Sequence, residues 1–180
     1  MAEGVVIGSR VRSWLQDPYK ILSGMGLLRG HVFLDVGCGR GFLTFPASTV
    51  VGLEGLVYAV DVDEGYLEEV RRRAAEHSLR NIIVIKTAAE RLDGVPDRSV
   101  DKAVMLYSLH HIRDRMEAFR RVREVLKPGG SLHIFDPISS RMFGHGTEPA
   151  KVLRELKEAG LEPKEFSKGF LFWRASASPT

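Results

Sequence analysis

The 180-residue chain holds one cysteine, Cys38, one asparagine and one glutamine. A single thiol excludes an internal disulfide and any multi-cysteine metal site, and no metal is expected. No apolar run approaches the roughly 20 residues of a membrane span, so no membrane partner is expected. The opening "MAEGVVIGSRVRSW" lacks the charged-then-apolar pattern of a signal peptide, which sets the expectation of a cytoplasmic protein. No charge dominates: 26 Lys and Arg face 23 Asp and Glu, a net charge of +3. Nucleic acid is therefore admitted as a partner but not demanded, and the arginines at 71–73 and at 120, 121 and 123 read as solvated helix faces. Few thermolabile amides beside many Arg and Glu residues are a pattern of thermophile proteins. Internal repeats and low-complexity tracts are missing too, and the length is that of one domain, 1–180.

What the chain does contain is an alternation of strands and helices. The apolar runs "HVFLDV" (31–36), "LVYAVDV" (56–62), "NIIVIK" (81–86), "DKAVMLY" (101–107) and "SLHIFD" (131–136) read as strands buried on both faces. Between them, 63–77 places Tyr66, Leu67, Val70 and Ala74 on one helix face, with Asp63 as its cap. In 114–127, Ala118, Phe119, Val122, Val125 and Leu126 share a face, and Asp114 with Glu117 makes a capping-box-like start. "KPGG" (127–130) should end that helix and turn the chain into the fifth strand. A helix over about 148–159 has Pro149 in its first turn and Gly160 after its end, and 161–177 reads as a closing strand pair. The pattern predicts a doubly wound α/β fold, with a mostly parallel sheet, helices on both faces and right-handed crossovers. Ligands of such sheets lie beyond the carboxyl ends of the strands.

At that edge, directly after the first strand, stands "FLDVGCGRGF" (33–42), with three glycines in five positions. A tight turn without ligand would not require all three. A dinucleotide fingerprint would need a small residue at the sixth position, where the chain has Phe42. A P-loop would need Gly-Lys-Ser/Thr. Asp61 ends the second apolar run at the same edge, where a carboxylate can accept both hydroxyls of a ribose. Asp35, just before the loop, would repel phosphate. The residues therefore point to a nucleoside that carries a cation.

The ordered set "FLDVGCGRGF", "VYAVDVDEGYLEEV", "SVDKAVMLYSLHHI" and "VLKPGGSLHIFDP" resembles the motif blocks of class I S-adenosylmethionine-dependent methyltransferases, in the broad group containing the ubiquinone and menaquinone biosynthesis enzymes. The resemblance implies a Rossmann-like seven-stranded sheet with an antiparallel C-terminal strand, built by a 31–177 core after a helical segment over 1–30. It implies S-adenosyl-L-methionine as cofactor and S-adenosyl-L-homocysteine as product. By the same resemblance the backbone of Gly37, Cys38 and Gly39 lines the methionine end, and Gly41 lets the next helix start close by. Asp35 lies near the ammonium, Asp61 binds the ribose, Val62 covers the adenine, and Leu106 and Tyr107 face the sulfonium. The chain departs from the family at "TAAE" (87–90), where Ala88 replaces an Asp that binds adenine. Backbone at Ala88 and Ala89 is left to reach the base, with Glu90 either compensating or merely exposed.

His110 and His111 follow the fourth strand, near the expected methyl group, and are the candidate catalytic residues, as base or as acceptor holders. A packing role suits the pair equally. Cys38 reads as a small residue in a tight loop, and Asp101 as a structural turn residue. Trp14, Leu15, Tyr19, Ile21 and Leu22 form a helix that either closes over the cofactor or packs on the sheet. The loop "PISSRMFGHGT" (137–147) offers Arg141 and His145 to an acceptor. Methyl transfer by in-line displacement is expected, with proximity and alignment as the main contributions of the protein. A small-molecule acceptor is favoured. RNA or protein acceptors are the enzymatic alternative, and a non-catalytic S-adenosylmethionine-binding protein is the other.

Overall fold

The computed structural model describes residues 17–139 and 146–180; Trp14, Leu15, Arg141 and His145 lie outside them. Five strands run parallel: β1 (Val32–Val36), β2 (Leu56–Asp61), β3 (Ile82–Lys86), β4 (Val100–Leu106) and β5 (Leu126–Pro137). The closing pair is β6 (Leu161–Lys168) and β7 (Phe172–Pro179), with β7 antiparallel to both β5 and β6. The sheet order is β3-β2-β1-β4-β5-β7-β6. The expected mostly parallel seven-stranded sheet with an antiparallel C-terminal strand is thus present. Among the described residues no helix is long and apolar enough to cross a membrane.

Strand alternation divides the core into two layers. Phe33, Val57, Val104 and Phe135 point to one face, where α1 (Pro18–Gly24) and α2 (Thr44–Val51) cover them. α3 (Glu64–Glu76) packs on that face through Leu67 and Val70 against Ala59. Leu34, Val36, Val60, Ala103, Met105 and Ile134 point the other way, beneath α4 (Arg115–Val125) and α5 (Pro149–Glu158). Arg115 joins those two helices through a bidentate pair with Glu155, both contacts 2.8 Å.

Three expectations are corrected, and one of the two arrangements expected of the first helix is observed. Tyr66 is not on the buried face of α3; it is 40% exposed, and the Arg40 guanidinium lies 5.6 Å from its ring centre. The segment "KPGG" does not precede the fifth strand but lies within it. Leu126 already pairs with Val100, and the register slips before Lys102 meets Ser131, so the glycines form an irregularity in β5. Asp114 caps α4 by accepting the Glu117 amide at 3.0 Å, but its own amide donates to Glu90, not Glu117. Within α1, Ile21 and Leu22 are buried in the layer beneath α2 while Tyr19 is exposed, so this helix packs on the sheet.

The single asparagine is a staple. Asn81 is buried, donates from Nδ2 to the carbonyls of Ser48 (2.9 Å) and Gly52 (2.8 Å), and accepts the Ser48 hydroxyl at 2.6 Å. It closes the C-terminal end of α2 onto the start of β3, adding a second donor to carbonyls that already accept the amides of Gly52 and Gly55. Asn81→Ala leaves the buried Ser48 hydroxyl without its acceptor and is expected to cost about 1–3 kcal/mol, the cost of one unsatisfied buried group. Urea denaturation of the variant measures this; a loss below about 0.5 kcal/mol would mean that water takes over the side chain's role.

Candidate functional site

The glycine loop leaves β1 at the point where the sheet order reverses, with β2 on one side and β4 on the other. It is tied to both neighbours. The amides of Gly37 and Cys38 donate to the Val60 carbonyl at 2.9 and 3.0 Å. From beyond β4, the Ser108 hydroxyl donates to the Val36 carbonyl at 2.7 Å.

The three glycines have different physical reasons. All three have positive φ (74°, 51° and 83° at 37, 39 and 41), a region open to glycine at little cost. A Cβ at Gly37 would come within 2.5 Å of the Ser108 Cβ, and one at Gly41 within 2.6 Å of the Phe45 ring. Both are required by packing within the protein. At Gly39 a Cβ would meet nothing within 4 Å, so this backbone faces open space.

Asp61 binds that same residue. Its Oδ2 accepts the Gly39 amide at 2.9 Å and its Oδ1 the Asp63 amide at 3.0 Å. A carboxylate has about four lone-pair positions, so one on each oxygen is left for other donors. Val62, next in the chain, is 64% exposed. Asp35 is buried on the α2 side of β1 and accepts the Thr44 hydroxyl at 2.7 Å. Burial pushes its carboxyl up to about 6, the Thr44 bond opposes this, and the Asp61 charge adds to it. Burial, with the charges of Asp35 and Asp61, also pushes the Cys38 thiol well up, which makes it a poor nucleophile at neutral pH.

After β3, Ala88 and Ala89 lie half-buried. The Ala88 carbonyl already accepts the amides of Arg91 and Leu92, both at 3.0 Å. Both lone-pair positions of that carbonyl are thereby engaged. Glu90 is half-buried rather than solvated, and accepts the Asp114 amide at 3.2 Å.

Leu106 ends β4, and Tyr107 follows with φ of +54°, a backbone state that costs a non-glycine residue energy. This turn carries Ser108 to the glycine loop and starts the 3₁₀ turn Leu109–His111. The His110 and His111 rings lie 4.0 Å apart, His111 exposed and His110 half-buried. Sequence reasoning missed what His110 meets. Its Nδ1 is 2.8 Å from Oδ1 of Asp136, a fully buried carboxylate near the end of β5. Asp136 Oδ2 accepts the Thr147 hydroxyl at 2.8 Å, and the Trp173 indole donates to Thr147 at 3.1 Å. Asp136 does close an apolar run at the same sheet edge as Asp61, the signal that singled Asp61 out. Thr147 and Trp173 carried no such signal.

The family described as "Methyltransferase domain" matches residues 33–130, more than half of the chain, and the chain belongs to it. It is 38% identical over 120 residues to an aklanonic acid methyltransferase from a Streptomyces species, covering 67% of this chain and 52% of that protein. It is 29% identical over 140 residues to the demethylmenaquinone methyltransferase of Geobacillus stearothermophilus, covering 78% and 58%. The chain thus spans about half the length of these curated relatives. A solved SAM-dependent methyltransferase from Aquifex aeolicus superimposes with a TM-score of 0.80 at 28% identity, over 92% of this chain and 91% of that one.

The buried Asp35 generates a pH test. Burial pushes its carboxyl up to about 6, above the ordinary 3.8, so the native state binds the proton more tightly than the unfolded chain. Stability from this group is then fully present below about pH 4 and is lost as pH rises through 6. Asp35→Asn keeps an acceptor for Thr44 and removes the titration. The variant should gain on the wild type by roughly 2–3 kcal/mol between pH 4 and pH 7.5. Denaturant titrations at both pH values measure the difference, and a constant offset would contradict the assignment.

Proposed function

We propose that this chain binds S-adenosylmethionine along residues 37–41 and transfers its methyl group to a small-molecule acceptor. The observation that carries the reading is the pairing of Gly39, whose backbone faces open space, with Asp61. The remaining lone pairs of Asp61 match the two hydroxyls of a ribose. Val62 supplies an exposed apolar surface for the base, and the N–H groups of the 88–89 turn supply donors to it. Gly37 and Cys38 bring backbone to the methionine end. Asp35 adds negative potential beneath an ammonium, Gly41 admits Phe45 close to the loop, and Leu106 and Tyr107 border the sulfonium. His110 and His111 stand on the acceptor side.

The fit of these groups is better for a cationic nucleoside than for a dinucleotide, because two aspartates flank the loop where a pyrophosphate would need positive charge. When bound, the cofactor supplies an activated methyl group on a sulfonium. The protein's share is to hold the acceptor in line with that group and to exclude water. The names of the relatives support a small-molecule acceptor: they act on aklanonic acid and demethylmenaquinone.

Calorimetry with S-adenosylmethionine or S-adenosylhomocysteine tests the reading. Asp61→Asn should weaken binding at least tenfold, because hydrogen bonds to a charged acceptor contribute about 1.5–3 kcal/mol. Unchanged affinity would refute the role of Asp61, and tight NAD binding would replace the reading altogether.

Glu90 gives the complementary result. Its carboxylate is engaged by the Asp114 amide, so Glu90→Gln should leave cofactor affinity within about threefold, a change under 1 kcal/mol. A large loss in the same titration would mean that Glu90, not the backbone at 88–89, recognises the adenine.

A further inference from the structure

We propose that Arg73, on α3, is a positioning residue for the cofactor: it holds the Gly39–Arg40 turn of the glycine loop in the form that binds S-adenosylmethionine. The inference rests on the methyl-transfer reading above and adds a residue of α3 to that site.

The loop folds as a turn, with the Gly41 amide donating to the Cys38 carbonyl at 2.9 Å. Gly39 and Arg40 are its two central residues, and each is held from the same β2–α3 unit. Asp61, ending β2, accepts the Gly39 amide at 2.9 Å. Arg73, in the last turn of α3, donates from Nη1 to the Arg40 carbonyl, also at 2.9 Å. Its guanidinium carbon lies 4.1 Å from the centre of the Phe45 ring, a cation–π distance. That ring is the one a Cβ at Gly41 would meet at 2.6 Å. One planar side chain thus reaches the loop twice, at its carbonyl and through the ring packed on its third glycine.

Arg73 departs from the solvated face that the run 71–73 suggests. Arg71 and Arg72 pair with Glu64 and Glu76 of their own helix. Arg73 is half-buried and, among the described residues, forms no ion pair; its guanidinium is directed to the loop. The loop has need of such a hold. Gly39 and Gly41 both have positive φ, 51° and 83°, and glycine leaves a chain many alternative conformations. Without Arg73 the Arg40 peptide is free to turn, and the Gly39 amide is free to leave Asp61. Cofactor affinity then falls in proportion to the fraction of molecules that keep the held form.

The sign of the effect separates positioning from plain electrostatics. S-adenosylmethionine carries a sulfonium charge that S-adenosylhomocysteine lacks. Coulomb repulsion by Arg73 would act against the former, so removing the guanidinium would tighten its binding selectively. Loss of position weakens both ligands alike.

Calorimetry with both ligands, and amide hydrogen exchange of the free protein, test the proposal. Arg73→Gln should weaken both ligands roughly tenfold, the loss expected when the held form drops to about a tenth of the molecules. The Gly39 and Gly41 amides should exchange at least about tenfold faster than in the wild type. Arg73→Lys keeps a donor but not the planar stack and should weaken both ligands roughly threefold. Arg72→Gln, the same change of charge one residue away, should leave both affinities within about twofold. Unchanged affinity in both Arg73 variants, tighter binding of S-adenosylmethionine alone, unchanged exchange at Gly39 and Gly41, or an equal loss in Arg72→Gln would overturn the proposal. A wild type that binds neither ligand would overturn the methyl-transfer reading, and the proposal with it.

Discussion

β1 lies between two parallel neighbours, with Asp35 level with Ala59 of β2 on one side and Val104 of β4 on the other. That register brings the Val60 carbonyl to the amides of Gly37 and Cys38, and Ser108 to the Val36 carbonyl. The glycine loop is therefore held by the ends of both neighbouring strands, and its shape depends on their alignment more than on its own residues. A Cβ at Gly37 would push Ser108 away and separate the loop from the turn that carries His110. The glycine loop and the 3₁₀ turn after β4 meet at this close approach.

Three aspartates at the same edge have different environments and hence different uses. Asp35 is buried on the α2 side, where burial outweighs the hydrogen bonds from Thr44 and raises its carboxyl. Asp61 is partly exposed and takes one backbone amide on each oxygen, which leaves it able to accept more. Asp136 points to the opposite face of the sheet, fully buried, with both oxygens committed to side chains. Its charged form is opposed by burial and supported by His110 and Thr147. Desolvation and the kind of donor, more than the residue type, separate the three.

Much of this was legible in the chain. The five apolar runs and the helix caps at Asp63 and Asp114 carry their information locally, through burial on both faces and through hydrogen bonds spanning two or three residues. Where local reasoning failed, a contact distant in sequence had intervened. Glu90 reaches the amide of Asp114 in place of Glu117, and Leu126 is drawn into β5 by pairing with Val100. Tyr66, apolar by pattern, stays exposed beside Arg40.

By itself the sequence determined the order of elements, the parallel sheet and the place of the glycine loop at its carboxyl edge, because strand period, turn chemistry and chain direction are properties of neighbouring residues. Only the tertiary structure decided that Gly37 and Gly41 are glycine because Ser108 and Phe45 lie against them. It alone joined His110 to Asp136, 26 residues away, and Asp136 through Thr147 to Trp173. Those contacts arise from which strand lies beside which and on which face a side chain emerges, and no periodicity along the chain records that choice.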